Sequence, residues 1–228
     1  MNGFGVGVLL MRERLRSLSV PLVLLLSLAA VFAVGVLERR RDSASAADNT
    51  LSGAAFGIAL PLLAYLLLER ACAGEQLGRS VDGVARYGTN RRAAVLGLLL
   101  SSALCMALAS ALLTTAALLG AHAPGSTAFG RDLRTSIAVG LISGEVYALW
   151  FGAASLLGKR GGGRKWALVL DFMLGPGGSL LAAPWPRGHV RNLLGGLPVL
   201  DLPQSGAWIA LAGIGVASLA LSVVCSTE

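Results

Sequence analysis

Two carboxylates sit where carboxylates are expensive. Glu145 and Asp171 are the only acidic residues well inside the long apolar runs of this 228-residue chain. An ionisable group at such depth faces a partner or a wet cavity. Glu145 is therefore open to substrate contact or proton coupling, and equally to a protonated carboxyl or a helix–helix hydrogen bond. Asp171 lies five residues from Trp166 and so close to an interface, which favours the structural reading there. His122 and His189 fall between the runs, so no serine–histidine pair forms within a span. No His-Glu-x-x-His is present either, and intramembrane proteolysis is excluded.

Three further patterns touch on chemistry. Gly158-Lys159-Arg160 superficially matches a phosphate-binding loop, but that loop needs Gly-x-x-x-x-Gly-Lys-Ser/Thr after a strand. Here Gly152 is one residue too far away, and Arg160 replaces the hydroxyl residue. The turn is simply basic and flexible, and the chain is not expected to bind ATP. Asp82-Gly83-Val84-Ala85-Arg86 matches a fragment of the CDP-alcohol phosphotransferases, which hold divalent metals with several aspartates on adjacent helical turns. Arg79 stands at the family's earlier aspartate position, and no acidic residue follows before Gly120, so no metal cage forms. Cys72, Cys105 and Cys225 show no metal-ligand or disulfide spacing. No catalytic, cofactor or metal site is expected in this chain.

The elements that must position these residues are membrane helices. Six apolar runs, at 20–37, 51–68, 93–120, 136–157, 166–183 and 206–225, approach or exceed the roughly 18–20 residues that cross a bilayer. Helices satisfy their own backbone groups in lipid, so an all-α polytopic bundle forming one domain over 1–228 follows. Composition agrees: 55% of residues are hydrophobic, 14% are charged, and the mean hydropathy is +0.72. The net charge of +7 comes from basic residues flanking the runs. That pattern points to lipid headgroups and not to nucleic acid. With the N-terminus inside, twelve basic residues lie on the inner side and seven on the outer, so both termini are expected in the cytoplasm. The run at 20–37 ends in Glu38-Arg39-Arg40-Arg41 and reads as an uncleaved first span.

Spacing adds detail. Ser136, Gly140, Gly144, Ala148 and Gly152 recur every four residues, a stripe of small residues for close helix packing. Residues 3–16 predict an amphipathic helix on the inner membrane face. Leu77, Val81, Val84 and Ala85 fall on one helical stripe, with Arg79, Asp82 and Arg86 on another side, predicting a short helix over 74–87. The run at 93–120 exceeds the hydrocarbon thickness and must tilt or project. Residues 184–205, with four prolines, predict an ordered outer loop or re-entrant helix.

At Glu75, Gly78, the 74–87 helix and Gly88-Thr89-Asn90-Arg91-Arg92 the chain resembles the permease subunits of type-2 ABC exporters, although that family usually has proline where Gly88 stands. The Arg-Glu-Arg-Leu-Arg before the first span, the six runs and the basic turn between the fourth and fifth are similar too. The resemblance implies a bacterial inner-membrane permease that works with a separate ABC ATPase subunit carrying ATP and Mg. It also implies a second permease copy, as homodimer or related heterodimer. The segment at 74–87 would be a coupling helix, with Arg79, Asp82, Arg86 and Tyr87 docking on the ATPase. The alternative is a non-transporting membrane scaffold or sensor that anchors a cytoplasmic partner.

Overall fold

The computed structural model describes residues 3–16 and 19–226, and among them every regular element is helical. First come α1 (Gly3–Leu15) and α2 (Ser19–Arg41). A stretch of three joined pieces follows: α3 (Ala46–Asn49), a π-helical segment (Thr50–Ala59) and α4 (Leu60–Ala71). The single turn α5 (Asp82–Ala85) leads to α6 (Arg91–Ala121), α7 (Phe129–Ala154) and α8 (Gly163–Leu174). The chain ends with α9 (Pro186–Leu193) and α10 (Gln204–Cys225). Five stretches are long and apolar enough to cross a membrane: Ser19–Arg41, Ala46–Ala71, Arg91–Ala121, Phe129–Ala154 and Gln204–Cys225. The fold is thus all-helical with the character of a multi-pass membrane protein.

The continuous fifth span expected at 166–183 does not form. α8 stops at Leu174 after 12 residues, or about 18 Å, well short of a hydrocarbon core of roughly 30 Å. The cause is Gly175-Pro176-Gly177-Gly178: proline removes a helical donor and its ring crowds the carbonyl four residues back, and the two glycines that follow are poor helix formers. The chain then makes a 3-10 turn at Leu180–Ala182 and the short helix α9.

The two ends of the bundle are defined by contacts between loops. At one end Gln76 donates to the Gly158 carbonyl at 2.7 Å, and Gly78 lies against Ser226. At the other, Arg39 donates to the His122 carbonyl at 2.6 Å and Asn49 to Glu38 at 3.2 Å. α10 finishes beside Gly78, so its first turn lies at the opposite end, about 33 Å away along its 22 residues. The path from Gly158 to Gln204 therefore traverses the bundle in broken form.

α6 is the central post. Its 31 residues extend about 46 Å, and two helices follow it in tandem. Gly7 of α1 packs on the backbone of Ala94 and Leu98, and Ser102 Oγ lies 3.4 Å from Met11 Sδ. Further along, Gly35 of α2 packs against Ala117, Gly120 and Ala121. The expectation that α1 lies across the inner face is corrected here: it runs alongside the first turns of α6, in the same direction. Small residues on both helices allow that approach, and α1 shows no clean apolar face, since Phe4, Val8 and Leu9 are exposed next to Arg12 and Glu13.

The small-residue stripe of α7 meets α6 and brings the two backbones together. A side chain at Gly140 would strike Thr114, one at Gly144 the backbone of Met106 and Ala107, and one at Gly152 the Leu99 side chain. Ala148 is fully buried in the same seam.

Candidate functional site

The first constellation lies inside the bundle, where α8 breaks. Pro61 has no N–H, so the carbonyl of Gly57, four residues earlier, receives no helical hydrogen bond from it. The Arg187 guanidinium donates to that carbonyl instead. Its Nε lies 3.4 Å from Asp171 Oδ2, with the two side chains 13% and 0% exposed. Tyr147 Oη donates to the same carboxylate oxygen at 3.0 Å. The Arg187 backbone N–H reaches Asp171 Oδ1 at 3.4 Å, and the guanidinium sits over the Phe172 ring, 4.0 Å from its centre. Tyr147 in turn stacks on Phe151, and Trp150 meets both Phe151 and Trp185 edge-on.

This arrangement keeps both charges paired and hydrogen-bonded, which burial in a low-dielectric interior demands. It also ties four parts of the fold together: the π-helical segment, α7, α8 and the start of α9. A cavity of about 230 Å³ opens beside it, lined by Ser52, Phe56, Arg187 and Arg191.

Glu145 is not part of this cluster. It is exposed on the outer face of α7, and no ion pair or hydrogen bond to its side chain is present among the described residues. The two intramembrane carboxylates thus lie apart, one enclosed and one facing outward.

The second constellation is the segment between α4 and α6. The continuous helix expected over 74–87 is not formed. A 3-10 turn, Arg79–Val81, is followed by α5, a single turn. Gly74 and Gly88 have left-handed φ values of 74° and 80°, which close the segment at both ends. Carbonyls that a helix would use internally are taken by arginines. Arg164 donates to Glu75 O at 3.0 Å and pairs with Glu69 at 2.7 Å. Arg91 donates to Gly78 O at 3.3 Å and pairs with Asp82 at 3.0 Å. Arg14 donates to Ala71 O and, at 2.6 Å, to Ser80 O. Leu77 and Val81 are fully buried, whereas Val84 and Ala85 are half-buried.

Of the expected docking residues, Arg79 and Arg86 are exposed and Tyr87 is 90% exposed. Asp82 is engaged by Arg91. Beneath the segment, Cys72 is enclosed, and burial pushes its thiol up to about 11.

Sequence reasoning missed Arg187, Tyr147, Arg14 and Arg164. An apolar run continued straight through Gly175–Gly178 places Arg187 in an outer loop. The glycine-proline cluster was the available signal for a break, and a break brings later residues back to Asp171. Arg14 and Arg164 carried no local signal, because their acceptors are backbone carbonyls and a glutamate 57 to 95 residues away.

These features define an all-helical chain with, among the described residues, five helices long and apolar enough to cross a membrane, compatible with a multi-pass membrane protein, with an enclosed ion pair and an arginine-clamped loop segment. Comparison with protein-family models and with curated proteins finds no match to the chain.

Proposed function

We propose that this chain is the membrane-spanning permease subunit of an ATP-driven exporter, working with a separate ABC ATPase. One observation carries the reading. The segment from Gly74 to Tyr87 presents exposed Arg79, Arg86 and Tyr87 while three buried or half-buried arginines fasten it to α1, α6 and α8. A segment held in this way is pushed as a unit with the helices it is tied to, which suits transmission of rigid-body motion.

ATP and Mg belong to the ATPase, and a second permease copy completes the path. The chain sits in the bacterial inner membrane with both termini in the cytoplasm, and the Gly74–Tyr87 side faces the ATPase.

The test is co-purification from the native membrane followed by ATPase assay in vesicles. A partner carrying nucleotide-binding motifs should co-purify, and R79E/R86E should release it while leaving the helical content unchanged. Retention of the same partner by R79E/R86E, or capture of only non-ATPase proteins, overturns the assignment. Capture of only non-ATPase proteins would instead favour a scaffold or sensor.

A further inference from the structure

A groove of about 1120 Å³ lies at the Gly158 end of the bundle, between α7, α8, α10 and the Gln76–Arg91 stretch. α8 and α10 each pack on α7, and side chains of all three helices line the groove. Its two ends differ in chemistry. At the mouth, Asp82 is neutralised by Arg91, which leaves Arg79 and Lys159 as exposed cations with no ion pair among the described residues. Deeper in, the walls are Trp150, Trp185, Leu170 and Leu221. The indole N–H of Trp185 is enclosed and has no acceptor among the described residues.

A free inorganic anion would use the mouth and leave the apolar walls empty. A neutral hydrocarbon would fill the walls and ignore the cations. A molecule that meets both is a membrane lipid with a negative headgroup.

We infer that this groove binds one anionic phospholipid taken from the leaflet on the Lys159 side. The headgroup phosphate sits between Arg79 and Lys159, and an acyl chain runs along Trp150, Trp185 and Leu221. The test uses the chain without an ATPase, so its outcome is read independently of the proposed function.

The experiment uses the full chain in neutral phosphatidylcholine vesicles containing a minor fraction of acyl-brominated phosphatidylglycerol or acyl-brominated phosphatidylcholine. W208F removes the tryptophan at the far end of α10, so emission comes from Trp150, Trp166 and Trp185, all on the groove. Each basic residue near an anionic headgroup contributes about 1 kcal/mol, or roughly a fivefold preference. With two such residues, brominated phosphatidylglycerol should therefore quench at a mole fraction about 25-fold lower than brominated phosphatidylcholine. R79Q/K159Q should bring the two lipids within about twofold.

A153F fills the groove and leaves the cations in place, so it should abolish the preferential quenching. Bulky maleimide on Cys225, an exposed thiol lining the same groove, should do the same on the folded W208F chain without A153F. Equal quenching by the two lipids in the W208F chain overturns the inference. So does full selectivity surviving both A153F and Cys225 labelling, which would mean that the lipid lies around the bundle and not in the groove.

Discussion

Replacing Arg187 by leucine should be among the most damaging single substitutions in the chain. It removes the counter-charge of Asp171, whose side chain is fully buried, and the donor that satisfies the Gly57 carbonyl. Breaking one side of a buried ion pair costs about 3–5 kcal/mol. For a chain of this size each kcal/mol lowers the thermal midpoint by roughly 2–4 °C, so R187L should fall by about 6–20 °C.

D171N alone should cost less, about 1–3 kcal/mol, because asparagine still accepts from Tyr147 and Arg187 keeps Gly57. The decisive variant is D171N/R187L. Removing the stranded carboxylate should give back about 2 kcal/mol relative to R187L, a coupling within the range of contacting residues. The assay is thermal unfolding in one detergent, followed by far-ultraviolet circular dichroism, with denaturant titration as a second probe. A double variant no more stable than R187L, or an R187L chain within about 1 kcal/mol of the unmutated protein, would refute the claim that the pair holds the broken crossing in place.

Other expectations concern packing, clamping and access. G144L should separate α6 from α7 and cost about 1–3 kcal/mol or more. G213A, at a position with open space around it, should stay within roughly 0.5 kcal/mol; the same melting assay compares them. R14Q/R164Q should free the Gly74–Tyr87 segment, read as roughly tenfold faster amide exchange at Leu77 and Ser80 for each 1.4 kcal/mol of clamping lost, without loss of α6 protection. Cys225 should react with maleimide at pH 7 while Cys72, enclosed and protonated until about pH 11, should not; mass spectrometry of peptides reads both. Because folding raises that thiol from its ordinary 9.0 to about 11, stability should fall as pH rises through this window. The unfolded chain there releases a proton that the folded one keeps, and C72A should flatten the fall.

The long helices were legible because lipid imposes a length and a composition that hydropathy reads directly. Close packing of α6 and α7 was legible for a related reason: Gly140, Gly144, Ala148 and Gly152 repeat at the spacing of a helix face. The break after Leu174 was masked by averaging, since Met173, Leu180 and Leu181 keep a window apolar across Gly175–Gly178. The 74–87 stripe predicted the burial of Leu77 and Val81, but no local pattern announces that Arg14, Arg91 and Arg164 will draw its carbonyls away from a helical ladder. The ion pair was half visible. Asp171 stood out by its cost, whereas Arg187 looked like an ordinary interface residue until the chain folded back.

The pairing of Asp171 and Arg187 fixes an order of manufacture. Neither residue can wait alone in hydrocarbon, and their supports, Gly57 and Tyr147, belong to parts synthesised earlier. The pair therefore closes only when the segment from Gly163 to Leu193 packs onto helices that precede it in the chain.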